Sequence, residues 1–175
     1  DQEIEHLKHA VKIAESALTN TIKFVSVNKT EIEIKNFLIQ QLYNFGAEGI
    51  PFDPIVLASD NSSLPHGHSR KDYKIQGGDC LLFDFGATVN GYHSDITRTF
   101  FVKSVSDEQK NIYETVRKAN QIGLDIAKPG LSLHKLDDTV LNTLADSEYA
   151  EYIVHKTGHG LGLDVHEDPY VMRKN

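Results

Sequence analysis

A single cysteine, Cys80, occurs in the 175 residues, so no disulfide can close within the chain. It heads an apolar stretch and reads as a buried, inert thiol rather than a nucleophile. Blocks of basic residues are missing too, and the formal net charge is -7. That balance argues against a positive surface for nucleic acid or an anionic membrane, so neither is expected as a partner. No apolar run approaches the roughly 20 residues that a membrane helix needs. There is no signal-peptide pattern, and a reducing, cytoplasmic location is the expectation. No low-complexity segment or flexible linker divides the chain. The chain starts at Asp1 without a methionine and stops at "VMRKN" without a closing turn signal. The expectation is one domain over residues 1–175, cut from something longer.

Charged residues make up 25% and hydrophobic ones 39%, enough for a compact domain with a real core. Over residues 2–26, Ile4, Leu7, Val11, Ala14, Leu18, Ile22 and Val25 recur every three or four positions and predict one helical stripe. Thr30 with Glu33 makes a capping box for a second helix, with Ile34, Leu38, Leu42 and Phe45 on its stripe and Gly46 as its stop. Residues 50–72 read as a loop holding one short strand, Ile55–Ser59. A second round follows the central hairpin. Ser106 with Gln109 caps a helix reaching about Ala127, "KPG" (Lys128–Gly130) breaks it, and Ser132 caps a fourth helix ending near Ser147. Each half therefore reads helix, helix, then strands or loop. The repeated order hints at an internal duplication.

Between the helix pairs lies "LLFDFGATVNGYHSDITRTF", Leu81–Phe100. Asn90-Gly91 is a strong signal for a two-residue type I′ hairpin turn. With those two as the loop, Val89 faces Tyr92, Asp84 faces Thr97, and Asp95 faces Gly86. Asp84, Gly86, Thr88, His93, Asp95, Thr97 and Thr99 then share one face. Phe83, Phe85, Val89, Tyr92, Ile96 and Phe100 share the other. Asp84 and Asp95 are diagonal neighbours with Cα atoms about 7–8 Å apart. Two readings stand on the hairpin alone. The aspartates are surface residues, or they face inward and need cations between them, for which a pair of divalent ions about 3.5–4 Å apart fits. Thr97 would then support Asp84 from the next strand.

Histidines form two further groups. "HKTGHGLGLDVHEDP" carries His155, His159 and His166, with glycines that make a helix improbable and let backbone approach around His159. Neutral imidazole suits Zn, Mn or Co, although surface or structural roles stand beside that reading. "SLPHGHS" places His66 and His68 in a loop.

Together, "PHG" (Pro65–Gly67), "FDFGA" (Phe83–Ala87), "GYHSDITRTF" (Gly91–Phe100) and "TGHGLGLDVHEDP" (Thr157–Pro169) resemble the pita-bread metallopeptidases, in the Xaa-Pro dipeptidase (prolidase) and aminopeptidase P branch. The resemblance implies an α+β fold of two similar helix-helix-sheet halves around a curved antiparallel sheet. It implies hydrolysis of Xaa-Pro peptide bonds by a metal-bridged hydroxide, with two divalent ions, Mn first and Zn or Co as alternatives. It makes Asp84 a chelating carboxylate, Asp95 a bridging one and His159 a ligand. His66, His155 and His166 become catalytic histidines near the scissile bond. The implied partner is a peptide with proline at its second position, and the implied full-length form is a homodimer. Methionine aminopeptidase and a non-catalytic pita-bread binding module are the alternatives.

Two departures accompany the resemblance. Family members complete the site with two glutamates downstream of "HEDP", and this chain ends seven residues after Asp168. The expectation is also that these residues do not include the amino-terminal domain of many relatives. The expectation is a catalytic domain lacking its last strands, with an incomplete metal site and little or no activity as it stands.

Overall fold

The computed structural model describes residues 2–173. Their helices and strands fall into two compact units, Asp1–Val105 with Leu161–Val165, and Ser106–Gly160 with His166–Asn175.

The first unit begins with α1 (Gln2–Phe24) and α2 (Glu31–Asn44). The capping box forms as the sequence predicts: Glu33 N–H donates to the Thr30 hydroxyl at 3.3 Å, and Thr30 N–H donates to the Glu33 carboxylate at 2.7 Å. Gly46, at φ +100°, turns the chain out of the helix. Ile34, Leu38 and Leu42 are fully buried, whereas Phe45 is exposed.

The stripe on α1 is rotated from the expected one. Ala10, Ile13, Ala14, Ala17, Leu18 and Thr21 face the core, and Ile4, Val11 and Ile22 are exposed. The reason is steric. Three fully buried alanines let the helix pack closely against its neighbours, and close packing outweighs the larger side chains beside them.

Strand β1 (Ile55–Ala58) is the expected short strand, followed by a 3-10 turn at Ser59–Ser63. It pairs with β2 (Cys80–Phe85), which pairs with β5 (Ile96–Phe101), making a three-stranded antiparallel sheet. Phe83 and Phe85 are fully buried, and Leu81 nearly so, against the helix pair. Cys80 is half-buried, and its thiol is pushed up by that burial, in keeping with an inert role.

Two short strands, β3 (Thr88–Val89) and β4 (Tyr92–His93), close the hairpin at Asn90 (φ +50°) and Gly91 (φ +78°). The register is the expected one: Val89 opposes Tyr92, and Asp84 opposes Thr97. The ladder is interrupted at Gly86–Ala87 and Ser94–Asp95, so Asp95 stands just ahead of β5. A Cβ on Gly86 would lie 1.8 Å from the Ser94 carbonyl oxygen, so the two chains cross where no side chain fits. The buried Ser94 hydroxyl accepts from Ala87 N–H at 2.9 Å and donates to the Ala10 carbonyl of α1 at 3.2 Å.

The second unit repeats the order. α3 (Asp107–Ile126) starts in the Ser106–Gln109 capping box, and α4 (Leu133–Ala145) starts at Ser132. They pack at Gly123, where an added Cβ would meet Val140 at 3.0 Å. Beyond a 3-10 turn at Ala150–Tyr152, β6 (Gly158–Gly160) pairs antiparallel with β7 (Glu167–Val171). No helix among the described residues is long and apolar enough to cross a membrane.

The crossing at Gly86 yields a stability prediction. Gly86→Ala should cost at least about 3 kcal/mol, because the clash is with backbone that cannot yield. Gly158→Ala, where nothing lies within 4 Å of the added carbon, should cost little. Urea midpoints for the two variants should separate widely; equal midpoints would contradict the crossing.

Candidate metal centre

Alternation along β2 sends Phe83 and Phe85 into the core and turns Asp84 to the opposite, polar face. Thr97, its partner across the ladder, donates its hydroxyl to Asp84 Oδ1 at 3.1 Å. Asp95 comes to the same place from the far side of the Gly86–Ser94 crossing. The Asp84 carboxyl is held above the ordinary carboxylate range, first by burial and next by the negative charge of Asp95. The Thr97 hydroxyl and the charge of His66 act in the other direction. The first unit thus brings together Asp84, Asp95 and the loop residue His66.

The loop around His66 is shaped by its neighbours. His66 is exposed, while the adjacent Gly67 is buried. A Cβ on Gly67 would lie 2.9 Å from Leu57, so the chain there lies flat on β1. Asn61 Nδ2 donates to the His68 carbonyl at 3.0 Å.

In the second unit, β6 carries His159. Its Nδ1 lies 2.8 Å from the Gly160 carbonyl oxygen. A carbonyl only accepts, so Nδ1 carries the hydrogen and the neutral ring keeps its lone pair on Nε2. In that tautomer Nε2 is the nitrogen that can ligate a metal. The His166 ring packs edge-on against it, with centroids 4.3 Å apart. Gly160 permits this pairing of β6 and β7, since an added Cβ would lie 2.5 Å from the Glu167 carbonyl oxygen. Gly158 faces open space, so the close approach expected of the glycines belongs to Gly160. Asp137, almost fully buried on α4, accepts from Thr157 N–H at 3.2 Å and ties down the start of the strand. His155 is exposed, makes a ring-nitrogen contact with the Lys156 carbonyl at 2.8 Å, and lines an apolar groove between α3 and α4.

The donors fit a divalent cation. A carboxyl raised by burial and by a like charge lacks compensation for its anionic form, and a cation supplies it. Carboxylate oxygens suit hard divalent cations better than softer metals.

Several positioning residues escape a reading of the sequence alone. Gly86 carries a faint signal, because a glycine inside a strand pattern marks close backbone approach. Ser94 carries none.

Comparison with known proteins gives the family of the chain. The model of metallopeptidase family M24 matches residues 5–175. The chain belongs to that family. It is 39% identical over 171 residues to an Xaa-Pro dipeptidase of Pyrococcus horikoshii, covering 98% of this chain and 48% of the relative. It superposes on an X-Pro aminopeptidase from Thermotoga maritima with a TM-score of 0.96 at 38% identity, covering 99% of this chain and 49% of that one. On the prolidase from Pyrococcus horikoshii the TM-score is 0.95 at 38% identity, covering 99% and 50%. The α+β fold is accordingly the pita-bread fold. The chain spans about half the length of the relatives it matches.

The charge coupling can be read directly. In metal-free protein, Asp95→Asn should lower the Asp84 pKa toward the ordinary carboxylate range without reaching it, because burial remains. A carbon-detected NMR titration of the Asp84 carboxyl measures this. An unchanged pKa would mean the two groups do not sense each other.

Proposed function

We propose that the protein carrying this chain hydrolyses Xaa-Pro peptide bonds, as a dipeptidase or an N-terminal aminopeptidase. The reading is carried by the Asp84–Asp95 pair, held on one polar face of a hairpin in a chain of the M24 family. Relatives named for Xaa-Pro substrates support it further. The alternatives, methionine aminopeptidase and a non-catalytic module, are not favoured.

In this proposal Asp84 would serve as the chelating carboxylate, Asp95 as the bridging one, and His159 as an imidazole ligand. Two divalent ions, Mn before Zn or Co, would supply an acidified bridging water and a polarised substrate carbonyl. His66, on an exposed loop within electrostatic reach of Asp84, offers its imidazole to the peptide being attacked. His155 and His166 are assigned to proton transfer and to stabilising the oxyanion. The substrate presents proline at its second position. We extend the proposal to a single catalytic domain, a homodimeric full-length form and a cytoplasmic location, the last supported by the lone cysteine.

Three measurements on the full-length protein with added Mn test this. Xaa-Pro peptides should be cleaved in preference to Met-Xaa and non-prolyl peptides, and preference for Met-Xaa would overturn the substrate assignment. Asp95→Asn should abolish turnover, because a neutral amide cannot balance two cations. Retained turnover would remove Asp95 from the site. His66→Ala should lower kcat roughly 10²-fold with metal content unchanged. Loss of metal in that variant would make His66 a ligand instead.

A further inference from the structure

Glu31 is the first residue of α2, and its side chain is completely buried. A buried carboxylate is costly unless donors surround it. Here they all come from one stretch of chain. Ala58 N–H donates to Oε1 at 2.7 Å, and Asn61 Nδ2 donates to Oε2 at 2.9 Å. Arg70 N–H donates to Oε2 at 2.6 Å, while its guanidinium donates from Nε at 3.2 Å and Nη2 at 3.0 Å to Oε1. These donors stand at the end of β1, in the following turn and at the far end of the loop. One carboxylate therefore holds segment 58–70 at its beginning and at its end.

The grip continues inward. The same Asn61 amide that donates to Glu31 also donates to the His68 carbonyl. Arg70 is itself braced. Its Nη2 donates to the Ala58 carbonyl at 2.8 Å, its Nη1 to Asp60 at 3.0 Å, and it stacks on Tyr73 at 4.1 Å. Gly67 lies flat on Leu57. His66 stands exposed on this clasped loop, next to the buried Gly67.

We propose that Glu31 is a positioning residue for the hydrolysis, acting through His66: it fixes the loop so that the imidazole stands beside the Asp84–Asp95 face. The proposal rests on the reading of His66 given above. Glu31 reaches the reaction only through hydrogen bonds to Ala58, Asn61 and Arg70. Glu31→Gln keeps the shape, but it weakens the acceptor and aims an N–H₂ at groups that themselves donate. The loop then relaxes, and small misplacement of a reacting group is expensive in rate.

The test is a double-mutant cycle in the full-length protein with an Xaa-Pro dipeptide. Glu31→Gln alone should lower kcat about 10-fold or more with KM and metal content little changed. In a His66→Ala background the same substitution should cost almost nothing further, because its route to the reaction is already cut. A general loss of folding would depress both backgrounds equally, so an equal loss overturns the proposal. So does an unchanged kcat in the single variant. If His66→Ala leaves kcat untouched, the reading of His66 fails and this inference falls with it. If His66→Ala is impaired and the effects simply add, only the role of Glu31 fails. Should Glu31→Gln not fold, Asn61→Ser removes one donor to Glu31 together with the link to the His68 carbonyl, leaving the carboxylate and its other donors in place. It should show the same non-additive pattern at a few-fold, and additivity there is equally fatal.

Discussion

Two carboxylates held on one face of a short hairpin set the terms for the rest of this protein. Like charges at that spacing repel, and the elevated pKa of Asp84 records the repulsion together with the burial behind it. Such a pair persists only where the backbone leaves no room to relax. The type I′ turn at Asn90-Gly91 fixes the register. The side-chain-free crossing at Gly86 fixes how closely the two chains approach. Ser94 ties the crossing to α1, and the buried Phe83 and Phe85 tie β2 to the core. Stability is given up at the aspartates and recovered in the layer beneath them, the arrangement expected where a site is built for a cation.

Both units use the same construction. A helix pair supports strands, and histidine or aspartate side chains project from the strands or from loops pinned to them. In each unit a buried carboxylate on the second helix, Glu31 or Asp137, accepts backbone N–H from the segment near a candidate histidine, His66 or His159. Sites placed on rigid elements and braced by such contacts hold their geometry better than sites on free loops.

Much of this was legible in the sequence. Capping boxes, the hairpin turn and strand register follow from local rules with few competitors, and they fixed which face Asp84 and Asp95 share. The α1 stripe was not legible in full. Periodicity favours the large Ile4, Val11 and Ile22, whereas packing selected Ala10, Ala14 and Ala17. Strand β7 was hidden because "EDPYV" has a proline and two acids and reads as loop. Glu31 was hidden by its position. An acidic residue in a first helical turn ordinarily faces solvent and complements the dipole, as Glu33 does two residues on. The capping box marks Glu33, but only the contacts with residues 58–70 mark Glu31 as buried.

The central claim is that Asp84 and Asp95 are ligands of one cation centre, and direct observation of both carboxyls tests it best. Zn should be titrated into metal-free full-length protein while the side-chain carboxyl carbons of both residues are followed by NMR. The account predicts that the two resonances move together, with one apparent affinity, and that Asp95→Asn weakens the response of Asp84. A response at Asp84 with none at Asp95, or saturation at unrelated concentrations, would contradict it.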